Sequence, residues 1–325
     1  MTMLLKYINS NRISVILLIS MLPVVYWIPS LFQAPIQIAE TAGVPLGKMI
    51  ISFNLNFRLI SSFLALLLVI VNGYLLIQLN TIHIFIPLRT QLPSFFYVTL
   101  AIGMTQSTQL TPALISSTLL ILVVYRIFSA YKAEGISINF LDAGLLVSLA
   151  SLIYFPALAF FLFLLAGLVL LRPFNWREWT FAVLGLILPY VFLISVYYLA
   201  DIPVMGIFKD ISDSFIKVKQ DFRFSQIVSW SYVLLFLLIG SYFMASALDS
   251  MKIHARKFFL VFLVFFLFSV LIYLIIPGAG TGMVFFVSVP LACLFSFYFV
   301  KCKRNWINEL FFAFFLLLLL WQRIN

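Results

Sequence analysis

The chain has 325 residues, 64% of them hydrophobic and only 9% charged, with a net charge of +10 and a mean hydropathy of +1.17. A water-soluble globule cannot hide that much apolar surface, so the expected fold is all-α, a polytopic helical membrane protein forming a single integral membrane domain over residues 1–325. The Lys and Arg excess sits in short segments beside apolar runs, where topology accounts for it without a nucleic-acid partner.

At roughly 20 apolar residues per crossing, apolar runs at 13–32, 59–78, 92–104, 111–126, 140–155, 157–171, 180–199, 227–247, 258–276, 283–300 and 307–321 predict about eleven spans. Nine or ten is the alternative, because the run from Leu92 to Met104 and the turn at Pro156 leave segments that barely cross a bilayer. Lys6 and Arg12 precede the first run as they would in a signal peptide, but the exit through Gln33-Ala34-Pro35 is a poor cleavage site, which predicts a retained anchor. With the N-terminus in the cytoplasm, 13 of the 20 basic residues fall on the inside. The positive-inside rule then gives a cytoplasmic N-terminus and a C-terminus on the outside, which is the periplasm if the protein sits in a bacterial inner membrane as the resemblance below implies.

Two outside segments exceed a simple turn. Residues 33–57, the first outside loop, carry Glu40, a Gly43-Val44-Pro45 break and Lys48. Residues 201–225 place Ile207, Phe208, Ile211, Phe215 and Ile216 at helical spacing among Lys209, Asp210, Asp213 and Lys217, as in an amphipathic helix that lies on the membrane surface or covers a cavity.

Ionisable groups inside lipid are costly and so point to function, yet this chain has few. Asp142 stands where it would serve the start of the fifth span, with Asn139 as cap, and that role competes with a proton relay. His83 and His254 are far apart in sequence and lack ligand spacing, and Cys293 and Cys302 suggest no disulfide, so a His/Cys metal site is not expected. The glycine-rich stretch Pro277 to Gly282 has no symmetric counterpart, which weighs against an inverted-repeat transporter. Gln106, Ser107, Thr108 and Gln109 after the third span, Tyr154 with Pro156 after the fifth, and the glycine loop share the outside face. Such a lining of hydroxyls and amides suits a sugar or phosphate headgroup, although loops at a membrane surface are polar in any case.

The stretch from Asn139 to Pro189 holds the most specific pattern: Phe140-Leu-Asp-Ala-Gly144, Leu149-Ala150, Tyr154-Phe-Pro156, Leu171-Arg172-Pro173-Phe174-Asn175-Trp176-Arg177-Glu178-Trp179 and Gly185-Leu-Ile-Leu-Pro189. It resembles an uncharacterised family of Bacteroidota inner-membrane proteins in which the Leu-Arg-Pro-Phe-x-x-Arg-Glu-Trp turn recurs. More distantly it is similar to the GT-C superfamily of membrane glycosyltransferases. Ala143-Gly144-Leu-Leu matches a rising helix, Pro156 an outer turn, Arg172 and Arg177 an inner turn, and Gly185 with Pro189 the return.

That resemblance implies a GT-C-like protein of envelope glycoconjugate assembly handling a polyprenyl-linked sugar at the outer face. In an active enzyme Glu40 would be the general base, Lys48 and Arg58 would hold the lipid phosphate, and Gln106, Gln109 and Tyr154 would contact substrate. Asp210 and Asp213 would bind a divalent cation or simply solvate the later loop. The chain departs from the superfamily in having only Glu40 in its first outside loop, and Tyr154 where a basic residue is expected. The alternative is a non-catalytic subunit or scaffold held by other membrane proteins, favoured by the scarcity of embedded charge. A transporter is the third reading.

Overall fold

The computed structural model describes residues 13–31, 44–105, 108–131, 137–201 and 251–301, with isolated positions between 231 and 317. Glu40, Gln106, Asp210 and Asp213, nearly all of the 201–225 segment and most of the eighth and eleventh predicted spans lie outside the described residues.

The described residues are helical. In chain order they form α1 (Ile13–Leu31), α2 (Pro45–Asn56), α3 (Arg58–His83), α4 (Leu92–Met104), α5 (Pro112–Ser129), α6 (Ser137–Ile153), a 3₁₀ turn (Phe155–Ala159), α7 (Phe160–Leu171), α8 (Trp176–Leu199), α9 (Ile253–Ile275), a second 3₁₀ turn (Pro277–Ala279) and α10 (Met283–Lys301). By length and composition α3, α5, α8, α9 and α10 can each cross a bilayer. The protein is a multi-pass membrane protein.

Helix ends follow local chemistry. Pro45 and Pro112 sit in the first turns of α2 and α5, where a missing N–H costs nothing. Thr111 caps α5 by accepting from the Leu114 N–H, and Asn175 caps α8 by accepting from the Arg177 N–H. Several helices outrun their apolar segments. α3 extends to His83 through Asn80 and Thr81, and Asn80 then organises the exit by donating to the Leu88 carbonyl and accepting from the Ile86 N–H. The first outside loop is likewise less irregular than its composition suggests, since the Pro45 break starts the 12-residue helix α2.

α4 and α10 form the centre. All 13 residues of α4 are buried, as are 17 of the 19 in α10. Rings join them, with Phe96 stacked on Phe299 at 5.2 Å and 18°. At about 1.5 Å per residue α4 is roughly 20 Å long, too short to cross the ~30 Å hydrocarbon core unaided.

The most extensively packed pair is α6 with α8. Gly144 and Gly185 face each other, and a Cβ on either would lie 3.1 Å from the other's Cα and overlap a carbonyl oxygen, of Ala182 or of Leu141. Small residues at such a crossing let backbones approach closely, which is how helices associate where lipid removes the hydrophobic drive. The buried residues of α8, Glu178, Ala182, Gly185 and Pro189, form one stripe facing α6, and the hydroxyls of Ser151 and Tyr190 meet at 2.7 Å beside it.

Candidate functional site

Helix order gives the bundle two ends. The first is basic. Here the end of α5 meets the start of α6 through the Arg126–Asp142 ion pair at 3.2 Å, and the start of α9 meets the end of α7 through Lys257, whose Nζ lies 3.4 Å from the Leu171 carbonyl oxygen. Asp142 therefore has an identified partner in Arg126. Arg172 and Glu178 close the turn between α7 and α8 with a 2.8 Å ion pair, buried on the glutamate side. The Leu171-to-Trp179 motif is thus a structural staple: Asn175 caps, Glu178 pairs back to Arg172, and Phe174 and Trp176 project outward as membrane-interface aromatics do.

The opposite end holds those of the sequence-selected residues that are described, Lys48, Arg58, Gln109 and Tyr154. Asn54 donates to the Leu110 carbonyl at 2.7 Å, Ser61 donates to Asn54 Oδ1, and the Leu110 N–H donates back to Ser61 Oγ at 3.0 Å. This closed network ties the end of α2 and the start of α3 to the segment before α5. It brings Arg58, about one turn from Ser61, into the neighbourhood of Gln109, next to Leu110. Lys48 is exposed on α2, and Arg58 and Gln109 are half-buried.

Tyr154 behaves differently. It is 1% exposed, its hydroxyl donates to the Ala279 carbonyl, and its ring stacks on Phe286 at 5.6 Å and 24°. Phe286 in turn stacks on Phe160 at 5.3 Å, and Phe160 meets Phe265 at 5.1 Å. The expected meeting of the Tyr154 corner with the glycine loop is therefore present, with Gly280 taking the positive φ of 59° that the bend needs. What fills the meeting point is a column of aromatic rings.

Neither of two well-formed cavities among the described residues is lined by Tyr154, Gln109, Arg58 or Lys48. One, of about 220 Å³, is an apolar cleft between α1, α3 and α4, with Tyr74, Ser94 and Val98 on its wall. The other, of about 650 Å³, opens at the basic end where α3, α5 and α9 converge. It is lined by His83, Ser129, Tyr131, Lys252 and His254 over a floor of Phe128 and Phe258, stacked at 4.1 Å and 20°. His83 is edge-on to Tyr125, Phe128 and Phe258 at 5.6–5.7 Å, and His254 approaches Phe258 at 6.1 Å.

The chain's two histidines, remote in sequence, thus share one cavity. Sequence reasoning missed this because each ends a different helix and the basic loops were read only as topology signals. Among the described residues no group of three His, Cys, Asp or Glu is placed to hold a metal ion. The family described as a family of unknown function (DUF6427) matches residues 30–324. No curated protein and no solved structure matches the chain.

Proposed function

We propose that this chain, which belongs to the DUF6427 family, is a non-catalytic membrane subunit that packs into a larger assembly of the bacterial envelope. The reading rests on the filled corner at Tyr154. A pocket for a lipid-linked sugar would need that corner open toward Lys48, Arg58 and Gln109, and there Tyr154 is bonded to a backbone carbonyl and covered by Phe286. Close glycine packing and sparse embedded charge suit a protein that associates through helix surfaces.

The second reading is a GT-C-like enzyme handling a polyprenyl-linked sugar at the outer face. It is favoured by two cations at that end, Lys48 and Arg58, since cations suit a lipid phosphate. It requires Glu40 as base and, if a divalent cation takes part, Asp210 and Asp213 to hold it. Both readings share an inner-membrane location with about eleven spans, a cytoplasmic N-terminus and a periplasmic C-terminus.

One purification separates them. Gentle extraction of the full chain should yield a membrane-protein partner at a fixed molar ratio that survives size exclusion, with no turnover of an added polyprenyl-phosphate sugar. A lone, monodisperse chain that transfers the sugar, and stops doing so in Glu40→Gln, would overturn the subunit reading in favour of the enzyme.

A further inference from the structure

We propose that the cavity at the basic end is a binding site for the phosphate headgroup of an anionic lipid, whose tail lies along α9. The lining supplies the right chemistry. Lys252 contributes a full positive charge, His254 and His83 ring nitrogens, and Ser129 and Tyr131 hydroxyls, while no carboxylate is among the lining residues. His83 Nε2 is buried without a hydrogen-bond partner among the rings of Tyr125, Phe128 and Phe258, so the ring itself forms part of the cavity wall. Lys257 lies 5.6 Å over the Tyr131 ring and adds positive potential behind the rim. Among the described residues at this end, the carboxylate of Asp142 is paired with Arg126 and that of Glu178 with Arg172. A volume of about 650 Å³ falls within the roughly 300–1,000 Å³ typical of small-molecule sites.

The surroundings favour a lipid over a soluble phosphate. Ile253 is both a lining residue and the first of four exposed apolar side chains, Ile253, Leu260, Leu267 and Leu274, spaced every seven residues along α9. That spacing keeps them on one side of the helix, so an apolar stripe starts at the cavity rim and runs toward the opposite end. A headgroup seated among Lys252, His254 and His83 would direct its chain onto this stripe. The phosphate stays at the interface, where burying an ion is least costly.

The test uses the purified full chain in mild detergent, with native mass spectrometry to count bound dioleoyl phosphatidic acid against dioleoyl phosphatidylcholine, and inorganic phosphate as competitor. Phosphatidic acid should be retained at least tenfold more tightly than phosphatidylcholine. Lys252→Glu with His254→Glu should abolish that preference, while Lys48→Glu at the far end keeps it. Leu260→Asn with Leu267→Asn should weaken the lipid and leave any phosphate binding unchanged. Retention unaffected by the Lys252/His254 pair, or lost equally in Lys48→Glu, would overturn the site. Displacement of the lipid by inorganic phosphate at comparable concentration would overturn its assignment to a lipid. Lys252 is exposed, so its reversal spares the fold, and a melting curve matching the parent confirms it.

Discussion

Ile84, the residue that stops α3, has φ 43° and ψ 54°, a left-handed conformation that a β-branched side chain adopts only under constraint. Two hydrogen bonds of the Asn80 side chain, one donated to the Leu88 carbonyl and one accepted from the Ile86 N–H, supply the constraint. Ile84→Gly should therefore stabilise the protein by about 1 kcal/mol, read as a higher midpoint in thermal unfolding. Asn80→Ala should cost about 2 kcal/mol, because the Leu88 carbonyl and the Ile86 N–H lose partners together. The ion pairs should separate by burial. Arg172→Ala would strand Glu178 and cost roughly 3–5 kcal/mol, whereas Asp142→Asn, in a pair more open to solvent, should cost under about 1 kcal/mol. Equal effects in the two variants would contradict the geometry. None of this was readable from residue identity alone. The Leu-Arg-Pro-Phe-Asn-Trp-Arg-Glu-Trp motif stood out in the sequence, but its meaning as a capped, ion-paired turn depends on Glu178 folding back onto Arg172.

Glycine positions show what separates one helix contact from another. At Gly185 the space for a Cβ is occupied by backbone, the Leu141 carbonyl and the Gly144 Cα, so Gly185→Ala forces α6 and α8 apart. At Gly167 the neighbours are side-chain atoms of Ile127, Cδ1 and Cγ2 at 3.3 Å, which need give by only a few tenths of an ångström and involve no backbone. Gly185→Ala should cost about 1–3 kcal/mol as an overpacked contact, and Gly167→Ala well under 1 kcal/mol. Detergent-resistance or thermal melts of both variants check the ordering, and the reverse order would show that α6 and α8 do not cross at these glycines. Where residues are described, hydropathy located the long apolar helices, because an apolar run of helical length has few other fates in lipid. It misplaced some ends by several residues, as α3 continues through Asn80 and Thr81 to His83 and α9 starts at Ile253 ahead of His254, Arg256 and Lys257. It also read residues 33–57 as loop, since α2 contains Asn54 and Asn56 and lacks a long apolar run.

Across the molecule the two ends make a testable map. Cysteines introduced at Phe174 and Lys252 should react with an impermeant maleimide from one side of the membrane, and those at Phe57 and Gln109 from the other. Cys293, fully buried in α10, should stay unlabelled until the protein is denatured. Labelling of Phe174→Cys and Phe57→Cys from the same side would dismantle the two-ended bundle. The candidate cavity was the least legible part of the fold. His83, Tyr131 and His254 come from three helices, and only tertiary packing joins them. The wholly enclosed α4 carries a consequence for biosynthesis. Too short to hold a place in lipid by itself, it emerges from the ribosome long before α10, the helix it packs against most. At about 5–20 residues per second the delay is on the order of ten seconds or more. Until then the nascent chain has to shelter α4 against α3 or within the insertion machinery, so truncation before residue 283 should expose it to proteolysis.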